Sequence, residues 1–339
     1  GKSTIGAVYV NWITGFEYFS ELTDFRNWDT NNRVRSGLVE DRGFELQSFS
    51  GFGQVEFDIN PYFRPTIGLR YDAYDGHLEI RDPGNLNEKK PLNNLSHVSP
   101  KFGFRSTWFE GFDFKANVSN GFALPGGSIR YNRDANVDPS EVWQYEAGVE
   151  YDYKNLVKVN LTGFILETSK EVNETILGSG VFVNSGKTQR HGLELGIRAQ
   201  PVRRLNFNGS FAYIRTEIKK NVDEALVGKE LNNIPRTVTN LMLDYTLESG
   251  LGARVNYRNV GKYATGLENF FYYNGYSRTD ATLFFNFAGT SSKRGQLFVE
   301  FNNIFNENYA TYVFDNGGPN DGQSYSASAL RSFSVGVSY

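Results

Sequence analysis

Cysteine is absent from the 339 residues, methionine occurs once and histidine three times. The first absence excludes a disulfide scaffold and any thiolate metal site. The histidines, His77, His97 and His191, are too scattered for ligand spacing, so no metal or other cofactor bound by the protein itself is expected. No stretch reaches the roughly 18–20 apolar residues that a membrane-spanning helix needs. Charge of one sign is missing too. Lys and Arg number 35 against 38 Asp and Glu, and a net charge of -3 argues against a nucleic-acid partner, which calls for a basic surface. No Ser-His-Asp arrangement and no phosphate-cradling glycine loop appears, so the chain does not read as an enzyme.

What the chain has in excess is aromatic. Phe 28, Tyr 20 and Trp 4 make up 15% of it, beside 35 Gly, while mean hydropathy stays at -0.46. That is the bulk composition of an outer-membrane β-barrel, in which half of each strand faces water. Residue order agrees. Trp143, Tyr145, Ala147, Val149, Tyr151 and Tyr153 alternate with Gln144, Glu146, Gly148, Glu150 and Asp152. Period two segregates the carboxylates onto one face, where a helix would scatter them. A hydrated lumen accounts for Glu146 and Glu150 without catalysis. At the end of the chain Phe333, Val335, Val337 and Tyr339 share a face opposite Ser332, Ser334, Gly336 and Ser338, and the apolar face is assigned to lipid.

Taken in order, the pattern predicts a strand at Thr4–Trp12, a long polar and aromatic loop to about residue 44, then strands at Glu45–Ile59, Arg64–Ile80, Leu95–Phe109 and Phe112–Leu124. A strand ending at Tyr153 and strands at Leu156–Glu167, Val181–Ala199, Leu205–Ile218, Val238–Leu247, Leu251–Ala264, Arg278–Phe287 and Gln296–Tyr309 follow before the terminal one. Tight turns at 60–63, 110–111, 154–155, 201–204 and 248–250 alternate with long connections. Barrels of this kind have short periplasmic turns and long extracellular loops. The last strand therefore runs inward to a periplasmic Tyr339, and the even count of about fourteen sends the first strand outward. Tyr62, Phe63, Trp108, Phe109, Phe112, Tyr151 and Tyr153 flank the short turns as an interfacial girdle would. The fold class expected is all-β: a transmembrane antiparallel up-and-down β-barrel in the outer membrane of a Gram-negative bacterium.

Three segments resemble the TonB-dependent outer-membrane receptors. Thr66-Ile67-Gly68-Leu69-Arg70-Tyr71-Asp72 is similar to a barrel strand common in that family. Asn184-Ser185-Gly186-Lys187, continuing to Gly192-Leu193-Glu194, is similar to its Asn-x-Gly-Lys-x-x-x-x-Gly-x-Glu segment. Phe301-Asn302-Asn303-Ile304-Phe305-Asn306-Glu307-Asn308-Tyr309, followed by an aromatic C-terminus, resembles its closing strands. The resemblance implies a 22-stranded receptor barrel around a plug domain, of which residues 1–339 supply the C-terminal portion. Nothing in residues 1–44 is similar to a plug or to the coupling box that engages TonB. With its Gly1-Lys2-Ser3 start and no secretory signal, the chain reads as a mature or truncated product.

The family further implies capture of a ferric siderophore, or a similarly scarce nutrient, by extracellular loops, and import driven by the TonB complex through the missing N-terminal region. Iron would arrive inside the siderophore complex; lipid and lipopolysaccharide would be the surrounding partners. Three loop groups are the ligand candidates. Arg130, Tyr131 and Arg133 offer guanidinium groups beside a phenol, suited to an anionic chelate. Phe271, Tyr272, Tyr273 and Tyr276, with Phe270, offer stacking surfaces. Trp28 and Arg26, with Arg33 and Arg35, do so from the first long connection. Girdle packing and pairing with lipopolysaccharide phosphates are the competing roles for these side chains. A passive outer-membrane channel closed by about fourteen strands is the alternative function.

Overall fold

A computed structural model describes residues 1–92, 95–126, 137–174, 182–288, 294–316 and 319–338. Nearly all of them are strand. The elements are β1 (Lys2–Ile5), β2 (Val8–Asn31), β3 (Val34–Asp58), β4 (Arg64–Ile80), β5 (Glu88–Pro91), β6 (Leu95–Phe109), β7 (Phe112–Ala123), β8 (Ser140–Tyr153), β9 (Val157–Glu174), β10 (Phe182–Val202), β11 (Leu205–Lys220), β12 (Thr237–Thr246), β13 (Leu251–Val260), β14 (Tyr263–Ala264), β15 (Tyr272–Tyr273), β16 (Tyr276–Ala288), β17 (Arg294–Asn302), β18 (Ala310–Asp315), β19 (Gln323–Ala327) and β20 (Ser332–Ser338). Among the described residues the helical content is one 3₁₀ turn, Glu224–Leu226.

The strands form one sixteen-stranded sheet in which sequence neighbours pair in order from β1 to β20, with β5 added beside β4. Hairpins β14–β15 and β18–β19 stand apart from it. Every pairing is antiparallel, as up-and-down connection requires. β1 and β20 are the two edges and do not pair with each other among the described residues.

The register separates two faces. Ile67 lies opposite Phe102, Phe102 opposite Val118, Val118 opposite Tyr145 and Tyr145 opposite Ile165, an apolar row across five strands. This is the lipid belt, because large apolar side chains stand exposed there: Ile67 and Leu69 are 53% and 56% exposed. The terminal strand joins the belt through Phe333, Val335 and Val337, while Tyr339 lies outside the described residues. The opposite face is polar. Glu150, Asn160, Gly196, Ser210, Asn240, Arg258 and Arg278 follow one another across it from β8 to β16. At the short-turn rim the expected girdle is a chain of ring contacts, Tyr62 to Trp108 at 5.7 Å, Phe109 to Phe112 at 6.5 Å and Phe112 to Tyr151 at 4.4 Å.

Four expectations are corrected. Residues 13–44 are not a loop. β2 and β3 pair from Tyr9–Asp58 up to Asn31–Val34 and turn at Asn32-Arg33, both left-handed with φ 48° and 66°, the geometry of a two-residue hairpin turn. A 24-residue strand spans about 80 Å, and only about 9–11 residues of a strand are needed to cross lipid. Much of this hairpin therefore stands above the belt. Second, Thr4–Trp12 is two strands, because Gly6, with φ 61°, turns the chain between β1 and β2. The first strand consequently runs opposite to the direction expected, and the fourteen long strands are preceded by a short one. Third, Leu251–Ala264 ends as a barrel strand at Val260; Tyr263–Ala264 leaves the sheet to pair with Tyr272–Tyr273. Last, Gln296–Tyr309 stops at Asn302, where Asn303 is left-handed with φ 52° and its side chain holds Glu307 in a turn.

Above the belt the two faces exchange character. The face continuous with the lumen carries Phe44, Leu46, Leu78 and Ile80, packed with Tyr74, Leu92 and Leu124. The face continuous with lipid carries Asp24, Arg26, Asp41, Glu79 and Arg81, joined as ion pairs.

Candidate functional site

The loop rim between β11 and β20 gathers most of the aromatic side chains singled out from the sequence. The connection 261–275 rises from β13, pairs back on itself through β14 and β15, and returns into β16 at Tyr276. This brings Tyr272 beside two cations: Lys262 Nζ is 4.5 Å from the ring centroid and Arg236 Cζ is 5.5 Å away. Arg236 is held in place by Glu230, with Nη2 2.9 Å from Oε2 and Nε 3.1 Å from Oε1. A phenol face flanked by ammonium and guanidinium groups binds anions and stacks on planar groups.

Tyr273 turns the other way, against Tyr263 at 5.5 Å and Tyr325 at 6.5 Å, and its hydroxyl accepts the Ala310 N–H at 3.0 Å. Burial, reinforced by the surrounding phenols, pushes the Tyr263 hydroxyl above its ordinary pKa, so it stays protonated. Tyr276 stacks on Tyr309 at 4.1 Å and 17°. The Tyr309 hydroxyl accepts Arg278 Nη1 at 3.2 Å, and the same guanidinium grips Asp280 with Nη2 2.6 Å from Oδ2. Phe271 contributes its backbone carbonyl, which accepts from the Thr265 N–H at 3.2 Å and from Thr265 Oγ1 at 3.3 Å. Phe270 is half exposed.

Below this rim lies a luminal cavity of about 770 Å³, lined by Asn160, Ser210, Asn240, Arg258, Tyr276 and Arg278 among others. Tyr276 thus belongs to both the rim and the lumen.

The other candidates lie elsewhere. Trp28 and Arg26 sit high on the β2–β3 hairpin. Trp28 is covered on one face by Arg35, 5.5 Å from its centroid, while Arg26 Nε contacts Asp41 Oδ2 at 3.2 Å on the face continuous with lipid. Arg130, Tyr131 and Arg133 lie outside the described residues. Sequence reasoning missed Lys262, Arg236, Tyr263 and Tyr309, whose partners come from distant loops. Only Arg278 and Asp280 carried a local signal, two residues apart on one strand face. Among the described residues no group of three or more His, Asp and Glu is placed to hold a metal ion.

A family description, "TonB dependent receptor-like, beta-barrel", matches residues 1–304. The chain belongs to this TonB-dependent receptor β-barrel family. The receptor chain is 26% identical over 273 residues to the metal-pseudopaline receptor CntO of Pseudomonas aeruginosa, covering 78% of this chain and 37% of the relative. It is 23% identical over 340 residues to the probable TonB-dependent siderophore receptor PiuA of Acinetobacter baumannii, covering 89% and 43%. The crystal structure of the unliganded ferric citrate transporter FecA superposes with a TM-score of 0.82 at 17% identity, covering 99% of this chain and 52% of that one. At that identity the likeness speaks for the fold. The chain spans about half the length of the proteins it matches, or less.

Proposed function

We propose that the intact receptor is an outer-membrane importer. It takes a ferric siderophore or a similar metal chelate at the loop rim and delivers it to the periplasm with TonB-derived energy. A plug domain and the remaining strands, carried upstream of Gly1, complete the barrel and reach TonB; lipid and lipopolysaccharide surround the belt. The observation that carries the reading is the Tyr272 ring between Lys262 and Arg236. Iron chelates made by catecholate, hydroxamate or carboxylate donors are anionic or planar, and this pairing of cations with an aromatic face suits both properties. The polar lumen below, with Arg258 and four asparagine-bearing strands along its wall, continues a hydrophilic path from the rim. The relatives point the same way, one being a metal-pseudopaline receptor and another a probable siderophore receptor.

Equilibrium binding of ferric catecholate, hydroxamate and carboxylate chelates to the purified receptor tests this. At least one class should bind, and Tyr272→Ala combined with Lys262→Met should weaken it about 2- to 5-fold, since an exposed cation–π contact is worth about 0.5–1 kcal/mol. Equal affinity in the variant would sink the rim assignment, and binding by none of the three classes would sink the substrate class.

A further inference from the structure

The lipid face of β7–β11 is not flat. An apolar groove of about 660 Å³ opens in it, lined by Ala116, Ala147, Gly163, Ile165, Leu193 and Tyr213 among others. The register accounts for its shape. Ala116, Ala147 and Gly163 lie opposite one another on three successive strands, between an upper row of Val118, Tyr145 and Ile165 and a lower row of Phe114, Val149 and Leu161. Two rows of large side chains about 13–14 Å apart along the strands leave a channel the width of one hydrocarbon chain. All five strands are paired on both sides within this chain, so the walls of the groove are complete.

Towards the loops the groove ends in a cation. Leu193 lies opposite Tyr213, and two residues higher on the same face His191 lies opposite Arg215, which brings their Cβ atoms to about 5 Å. Arg215 Nε donates to the Tyr213 hydroxyl at 2.6 Å, and its Cζ stands 5.6 Å from the Tyr213 ring centroid, so the guanidinium lies against the groove wall. Its Nη1 meets Glu230 only at 3.5 Å, whereas Arg236 holds that carboxylate at 2.8 Å. Arg215 therefore keeps donors to spare. Glu167 and Glu217, next above on this face, are engaged by Gln189, Lys187 and Lys219, and with them the apolar belt stops. A channel open to lipid takes an acyl chain, and a guanidinium at the level of the headgroups takes a phosphate. We propose that the groove holds one acyl chain of the lipid A part of lipopolysaccharide, with a lipid A phosphate bound by Arg215 and His191. Through Glu230 that phosphate is one ion pair from Arg236 and the Tyr272 rim. The site rests on the outer-membrane location and loop-side-out orientation given above, and not on which chelate the receptor imports.

The test is native mass spectrometry of the intact receptor, delipidated in detergent and titrated with diphosphoryl lipid A. Saturable binding is expected. Its apparent affinity should fall about 5-fold in Arg215→Gln, the contribution of one cation facing lipid phosphate, and about as far in Ala116→Leu and Ala147→Leu, which fill the groove. Ala253→Leu should leave it unchanged, because that residue lies between Tyr245 and Leu283 on the lipid face outside the groove. Heat-resistant migration on gels establishes that each variant keeps its barrel. Affinity that both groove-filling variants leave unchanged overturns the acyl site, and equal binding of lipid A stripped of its phosphates overturns the headgroup contact. Phosphatidylglycerol bound as tightly as lipid A, or receptor dimers that the groove-filling variants abolish, would show that another occupant covers this face.

Discussion

Arg81 and Asp41 meet across β3 and β4 with Nη2 2.8 Å and Nε 3.0 Å from the same Asp41 oxygen, on the face that lower down is lipid-facing. Arg26 and Asp24 extend the contact onto β2. Burial would push the Asp41 carboxyl up, but the hydrogen bonds from Arg81 and Arg26 outweigh it and hold the group below the ordinary carboxylate range. Because the folded pKa is depressed, the stabilisation is present above the unfolded value of about 4 and is lost as pH falls through the folded one. Protection factors of amides in the upper part of the β2–β3 hairpin should therefore fall below about pH 4, and Arg81→Met, which leaves only the Arg26 contact, should shrink that fall. A fall of unchanged size in Arg81→Met would show that another group controls it.

On the other side of the same strands, Ile80 is 1% exposed and packs with Phe44, Leu46 and Leu78. Removing its side chain leaves a cavity between β3 and β4. Ile80→Ala should destabilise the upper hairpins by about 3 kcal/mol and leave the barrel below intact. Limited proteolysis between residues 13 and 44, with unchanged heat-resistant migration of the product, is the expected pattern. Cleavage as slow as in wild type would mean that the cluster contributes little to holding the extension.

The contrast between those two faces explains what could be read in advance. β8 was legible because Trp143 to Tyr153 stands with one side in lipid and the other in water, so alternation survives along its length. β2 and β3 rise past the lipid, where Arg26 and Asp41 replace apolar residues outside while Phe44 and Leu46 replace polar ones inside. The inversion reads as a mixed polar and aromatic loop, although pairing continues, through register shifts at Asn27/Trp28 and Asp29/Thr30, to Asn31–Val34. At the rim, the aromatic residues were visible as composition alone. That Lys262 and Arg236 flank Tyr272, or that Tyr309 stacks on Tyr276, depends on two small hairpins folding back over the barrel, and no period in the sequence marks such contacts.

Gly275 precedes Tyr276 with φ 83°, and a Cβ there would stand 1.9 Å from the Val260 carbonyl oxygen. Both the left-handed backbone and the missing side chain are needed for the chain to re-enter β16 in register. Gly275→Ala should displace Tyr276 from its stack with Tyr309 and weaken chelate binding, at a cost of about 1–3 kcal/mol in local stability. Faster proteolysis within 303–331 is the direct readout, and a cleavage rate equal to wild type would count against the link.

Residues 1–339 contain no cysteine, so a single cysteine placed among them reports the orientation of this part of the receptor. Thr30 stands beside the Asn32-Arg33 turn at the loop rim, whereas Glu110 lies in the tight turn between β6 and β7 at the other end. Turns that close at the aromatic girdle, level with the edge of the belt, belong to the periplasmic side, and hairpins that project far beyond the belt belong outside. In intact cells, Thr30→Cys should react with a membrane-impermeant maleimide and Glu110→Cys should react only after the outer membrane is opened. The reverse pattern would invert the barrel, and with it the assignment of Tyr272, Lys262 and Arg236 to the side that meets the incoming ligand.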